Sequence, residues 1–322
     1  DNIILMLADE VACNARNPFK NTIFPNGSAK RENNNEEVDS TGRGRGSKEV
    51  DDNGRRRPLN LYDNVQVDYS GDDVTVDNFF RVLLGRHPKH TPSYQRLDLD
   101  DPDTNVFIYI TGHGGDGFFK FRDVEDFTTS DLRGVLEQMQ VMKRFKNVLF
   151  LTDTCQAFTL APDDDDIGNG SNIDLKNVYT IASSLKGENS YAHHGDVSVG
   201  HSVIDRYMYF LMENMGGFST IHANVADPYH NHDSEKGKWG DLHEMSVKFA
   251  MVDSMYTSNR RSKLGANIGW SDALCERRMD QVPLSDFFVM KQGEDTDTSE
   301  MNASRESLLG DVQLLLGQVD FW

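Results

Sequence analysis

Three short runs of unbroken apolar residues stand out from a mostly polar chain: Val106-Phe107-Ile108-Tyr109-Ile110, Val148-Leu149-Phe150-Leu151 and Val178-Tyr179-Thr180-Ile181. They lack the in-out alternation of a half-exposed strand, so they predict strands covered on both faces, as in a parallel sheet between helices. Helical spacing occurs around them. Val76, Phe79, Phe80, Leu83 and Leu84 line one face of a helix that should stop at Gly85. Leu132, Val135, Leu136, Met139 and Met142 line another, with Ser130 as the expected cap and an end near Lys143-Arg144. A further strand-like run, Ile3 to Leu7, opens the chain. Together these elements predict a three-layer α/β/α sandwich with a mostly parallel sheet and right-handed crossovers.

Other stretches cannot contribute to that core. From Ser28 to Arg57 the only apolar residues among Asn, Glu, Arg and Gly are Ala29, Val38 and Val50, too few to offset the entropy of ordering the segment. Residues 28–57 therefore read as a disordered surface insertion, and the mixture of arginines with acids reads as a solvated linker rather than a binding patch. Asp163 to Asp166 form a short acidic loop; Gly293 to Ser307 is a polar tail, followed by an amphipathic terminal segment from Leu308 to Trp322. The organisation expected is one domain over residues 1–290 and a tail over 291–322. Such insertions explain why only 37% of the residues are hydrophobic.

Charge and length then exclude whole classes. With 33 Lys plus Arg against 52 Asp plus Glu, the net charge is −19, and no basic stripe offers a surface for phosphates, so nucleic acid is not an expected partner. No run of about 18 apolar residues is present to span a bilayer. The chain enters the Ile3 run with no initiator Met or leader before it, which reads as a fragment. Its three cysteines, Cys13, Cys155 and Cys275, cannot all pair with one another, so at least one is free or bonded to another chain.

The chemistry gathers after two of the buried strands. The run from Val106 passes directly into Thr111-Gly112-His113-Gly114-Gly115, and the run from Val148 into Thr152-Asp153-Thr154-Cys155-Gln156. In such sheets ligands bind beyond the carboxyl ends of the strands. A His and a Cys delivered to one edge, in strands joined by one crossover helix, suit nucleophilic catalysis, with glycines that let backbone N–H groups approach a carbonyl oxygen. A lone Cys in this place is more often a buried apolar residue, and a lone His a loop residue; the matched pair carries the reading.

These motifs carry a resemblance. YITGHGG around His113 and DTCQ around Cys155, with LADE-VACN at residues 7–14, VTVDNFFRVLLGR at 74–86 and ASS at 182–184, resemble the catalytic subunits of glycosylphosphatidylinositol (GPI) transamidase, within the legumain-type, caspase-like cysteine peptidases. The resemblance spans roughly residues 1–215 outside the insertion and returns at Ser285-Asp286-Phe287-Phe288. It implies a caspase-like fold whose first sheet strand, with a third catalytic-site Asn, lies upstream of Asp1. It also implies that Cys155 is the nucleophile, that His113 is its acid–base partner, and that the N–H groups of Gly114 and Cys155 form the oxyanion hole. Ser183, Ser184 and Ser190 would shape a pocket for a small substrate residue, or simply satisfy loop backbone groups. Ala157 stands where the family usually has Gly, a change tolerated if its φ is negative.

More distant implications follow from the same source. Cys13 matches a cysteine that bonds a lumenal partner subunit, the alternative being a buried thiol. The chemistry requires no cofactor, but the family has a structural calcium near Asp63, Asp68, Asp72 and Asp73; only Asp68 matches, and Gln66 replaces an acidic position. Partners would be other transamidase subunits, precursor proteins with a C-terminal GPI signal, and the GPI lipid, at the endoplasmic reticulum membrane with the catalytic domain lumenal. Sequons at Asn26, Asn169 and Asn302 agree with lumenal exposure. The alternatives are a legumain-like endopeptidase, in which water resolves the thioester, and an inactive scaffold subunit.

Overall fold

The computed structural model describes residues 3–18, 20–23, 62, 65–162, 173–196, 200–214, 242 and 264–288. The 28–57 insertion, Asp63, the Asp163 to Asp166 loop, the 291–322 tail and the three sequon asparagines lie outside the described residues.

In chain order the elements are β1 (Met6–Leu7), β2 (Tyr69–Ser70), α1 (Val76–Leu84), β3 (Asn105–Thr111), β4 (Gly114–Gly115), β5 (Phe118–Phe121), β6 (Glu125–Thr128), α2 (Thr129–Val141), β7 (Asn147–Asp153), β8 (Val178–Ala182), β9 (Ala192–Asp196), β10 (His201–Asp205), α3 (Arg206–Asn214) and β11 (Gly269–Ser271). A four-stranded sheet has the order β11-β8-β7-β3. β3, β7 and β8 are parallel to one another, and β11 runs antiparallel along β8.

Strand alternation divides the core into two layers. Val106, Ile108 and Ile110 of β3 and Val148 and Phe150 of β7 pack with Phe79, Val82 and Leu83 of α1 and Leu132, Leu136 and Met139 of α2. Leu149, Leu151, Tyr179 and Ile181 face the other way, onto Tyr207, Met208 and Leu211 of α3. This is the expected α/β/α sandwich. β7 is buried along its whole length, and each of its large apolar side chains contributes about 1.5–3 kcal/mol on leaving water. Ser285 to Phe288 belong to the same domain: the Phe288 ring meets Phe107 edge-on at 5.1 Å, and Asn105 Nδ2 donates to the Asp286 carbonyl at 2.8 Å.

Local details differ from expectation in three places. α2 is capped by Thr128 rather than Ser130, because the Thr128 hydroxyl accepts from Asp131 N–H while the Asp131 carboxylate accepts from Thr128 N–H, a reciprocal cap that a Ser two residues later cannot form. The run from Ile3 to Leu7 does not join the main sheet. Leu5 N–H donates to the Asp68 carboxylate at 2.9 Å and its carbonyl accepts from Asp68 and Tyr69, so only Met6–Leu7 pairs, parallel to β2. Finally, the β4-β5-β6 sheet and the β9-β10 hairpin had no apolar run of their own to reveal them.

Candidate active site

β3 and β7 pair in parallel with Thr111 level with Asp153. His113 and Cys155 each lie two residues further on, so both follow directly from the paired ends of adjacent parallel strands. Both are partly exposed.

The His113 loop is held by backbone fit. Gly112 N–H donates to the Asp153 carbonyl at 3.2 Å, and Gly112 has φ +148°, a conformation that side chains rarely allow. A Cβ on Gly114 would lie 2.6 Å from Thr154 Oγ1 and 2.8 Å from the Phe118 carbonyl oxygen, so only glycine lets this loop lie against the residue before Cys155. Lys120 N–H donates to the His113 carbonyl at 2.9 Å, which makes 113/120 the hydrogen-bonded pair of the β4-β5 ladder. By alternation, the neighbouring Gly114–Phe119 pair is the non-bonded kind. The Gly114 N–H therefore points away from β5, available to a ligand.

The Cys155 loop is held by side chains instead. Gln156 has φ +56°; its N–H donates to the Glu188 carbonyl at 2.9 Å, and its side-chain oxygen accepts from Gly187 N–H at 3.0 Å. The Ser184 hydroxyl donates to the Thr154 carbonyl at 2.7 Å and accepts from Ala157 N–H at 3.0 Å. Thr159 joins the two loops, its hydroxyl oxygen meeting the Gln156 carbonyl at 2.7 Å, the Gly115 carbonyl at 3.2 Å and Gly117 N–H at 2.8 Å. Ala157 is not among the residues with positive φ, so its replacement of glycine costs no backbone strain.

Of the two readings open for the serines, the bonds of Ser184 follow the one in which loop backbone groups are satisfied. Ser184 is fully buried beneath the Cys155 loop, with its hydroxyl committed on both sides, so it supports that loop and does not face a substrate. Ser183 is also buried and bonds Ser190 Oγ at 3.3 Å. Ser190, half-exposed, donates to Asp153 Oδ1. Behind them lies a feature that sequence reasoning missed, two interacting carboxyls, the buried Asp153 and the half-buried Asp205. Thr111 Oγ1 donates to Asp205. Burial pushes Asp153 above the usual carboxylate range, against hydrogen bonds from Ser190, Ser183 and Met208 N–H; burial and then the charge of Asp153 push Asp205 higher still. The charge on one carboxyl disfavours ionisation of the other. The signal available in the sequence was the odd parity of Asp153, which puts an acid on the buried α3 side two residues before Cys155; nothing comparable marks Asp205.

The outlying sites divide. Cys13 is exposed, which overturns the alternative of a buried thiol. Slight desolvation of the thiol and then a hydrogen bond and the charge of Glu10 raise its pKa. Asp68 is tied into the fold, its carboxylate oxygens accepting from Leu5 N–H and, at 2.8 Å, from Gln66 Nε2. Among the described residues no group of three or more His, Cys, Asp or Glu could hold a metal.

This arrangement, a cysteine and a histidine on adjacent parallel strand ends, agrees with the comparisons. Residues 1–252 match the peptidase C13 family. The chain belongs to that family. A GPI-anchor transamidase of Saccharomyces cerevisiae is 32% identical over 302 residues, covering 92% of this chain and 57% of that protein. The Schizosaccharomyces pombe GPI-anchor transamidase is 39% identical over 66% of this chain and 46% of its own, and the human one 37% identical over 66% and 44%. The chain thus spans about half the length of the curated relatives it matches. Caspase-1 from Spodoptera frugiperda superimposes with a TM-score of 0.34 at 13% identity, covering 67% of this chain and 73% of that one. Among the described residues no helix is long and apolar enough to cross a membrane.

Proposed function

We propose that this chain is the catalytic part of a GPI-anchor transamidase acting through a Cys155 thioester. The observation that carries the reading is the level register of the β3 and β7 ends, with His113 and Cys155 each two residues past the paired Thr111 and Asp153; the names of the C13 relatives supply the substrate class. The Cys155 thiol gives its proton to His113, and the sulfur attacks the carbonyl carbon at the attachment site of a precursor protein. The oxyanion is received by the N–H groups of Gly114 and Cys155. Collapse breaks the C–N bond, His113 protonates the departing amine of the C-terminal signal peptide, and a thioester remains. The ethanolamine nitrogen of a GPI lipid then attacks the thioester carbon, its proton passes to His113, and the Cys155 sulfur leaves.

The chemistry asks for no metal or redox cofactor. In the same reading the domain works in the lumen of the endoplasmic reticulum within a multi-subunit complex, to which the exposed Cys13 forms a disulfide. The test is mass spectrometry of the new C-terminus of a precursor incubated with the intact complex, with and without hydrazine. Transfer predicts the GPI amide, or the hydrazide when hydrazine competes, and neither product from Cys155→Ala. A mainly free carboxylate in ample GPI would make the enzyme a legumain-like endopeptidase, and no product from the native complex would make the chain a scaffold.

A further inference from the structure

We infer that Ser184 is the positioning residue for the oxyanion site, aiming the Cys155 N–H through the peptide group that links Thr154 to Cys155. This rests on the acyl-transfer reading above. A peptide unit is planar, and where it is trans its carbonyl and N–H point in opposite directions; no peptide among the described residues is cis. Whatever holds the Thr154 oxygen therefore sets the direction of the Cys155 hydrogen. That oxygen takes the Ser184 hydroxyl at 2.7 Å from beneath the loop, where Ser184 has no exposure at all. The carbonyl faces the interior, and the Cys155 N–H faces outward.

Ser184 is itself held on several sides. Its oxygen accepts from Ala157 N–H at 3.0 Å, its carbonyl accepts from Phe158 N–H at 2.9 Å, and the preceding residue is pinned by Ser183 N–H donating to the Thr152 carbonyl at 3.0 Å. One hydroxyl thus bridges the residue before the nucleophile and the second residue after it, forcing the tight turn in which Gln156 takes its left-handed conformation. Ser183 also reaches the Thr154 oxygen, but at 3.5 Å, with a nearer partner in Ser190 at 3.3 Å. Its share in aiming the peptide is smaller.

The experiment compares Ser184→Ala, Ser184→Thr and Ser183→Ala in the full-length enzyme within its native complex. Ser184→Ala removes the hydroxyl with little volume; Ser184→Thr keeps the hydroxyl but forces a methyl group into a site with no room. The expected result is a crossing of ranks. Ser184→Ala should melt below the wild type, because Ala157 N–H and the Thr154 carbonyl lose their partner, but not as low as Ser184→Thr. It should nonetheless lose about 10- to 100-fold in kcat with KM unchanged, short of the full cost of deleting an oxyanion donor. Ser184→Thr should melt lower and retain most of its kcat. Alkylation of Cys155 by iodoacetamide, which needs no oxyanion donor, should proceed at the wild-type rate in both, and Ser183→Ala should lose less than Ser184→Ala. If kcat simply follows melting temperature across the variants, Ser184 is only structural and the inference falls. Loss of alkylation along with kcat would overturn it too, by assigning the effect to the thiol. Absence of Cys155-dependent product from the wild-type complex would instead sink the acyl-transfer reading beneath it.

Discussion

The two loops that form the site do the same job by different physics. The His113 loop is shaped by what is missing: at Gly112 and Gly114 a side chain would demand a forbidden φ or collide with Thr154 and Phe118, and the β4-β5 ladder supplies the rest. The Cys155 loop is shaped by what is added, with hydroxyls and an amide from Ser184, Thr159 and Gln156 tying it to segments distant in the chain. Exclusion of side chains is a local requirement and leaves a mark in sequence, the GHGG run. A network of side-chain bonds leaves only scattered polar residues.

The sharpest way to break this comparison is to give the His113 loop a side chain. Gly114→Ala places a methyl against a backbone oxygen that cannot yield, and such overpacking should cost about 1–3 kcal/mol. Denaturant unfolding of the variant should show a lower midpoint at unchanged slope, with activity falling further because the Gly114 N–H is displaced. An unaltered midpoint would mean that the loop is soft and the glycine incidental.

A second, smaller effect sharpens the Cys155 side. Asp153 and Asp205 have folded pKa values raised to about 6 and about 8, against about 4 for a carboxyl in an unfolded chain. The folded protein therefore holds protons that the unfolded chain has released, and stability is full below pH 4 and lost as pH rises toward 8. Asp205→Asn keeps an acceptor for Thr111 and removes one of the two ionisations. Its stability between pH 4 and 8 should fall less steeply than that of the wild type, leaving the variant the more stable of the two at pH 8. Thermal melts across that range measure it; parallel slopes would show that the fold does not hold Asp205 protonated.

The smallest effect belongs away from both loops. Because Leu5 N–H and Gln66 Nε2 hold Asp68 without a cation, a chelator should move the melting temperature by less than about 1 °C, under the roughly 2–4 °C that 1 kcal/mol is worth for a domain of 150–250 residues. Gln66→Glu should destabilise the chain in chelator and regain stability with added calcium. A wild type that melts much earlier in chelator would restore the metal.

Much of this molecule was legible because its core strands are covered on both faces. Hydrophobic continuity alone located β3, β7 and β8, the helical stripes located α1 and α2, and the order of these elements determined the layers. The same continuity identified where the chain leaves the sheet, and so singled out His113 and Cys155. Short strands such as β4, β9 and β11 left no comparable trace, since their pairing depends on partners rather than on their own pattern. The seating of Leu5 on Asp68, the bond of Thr111 to Asp205, and the burial of Ser184 beneath the Cys155 loop were decided by tertiary structure. Each joins residues far apart in the chain, 63 positions for Leu5 and Asp68, 94 for Thr111 and Asp205 and 30 for Ser184 and Thr154, through a single hydrogen bond. A periodicity records which face of an element meets the core; only the packed fold decides which polar atom on that face meets which.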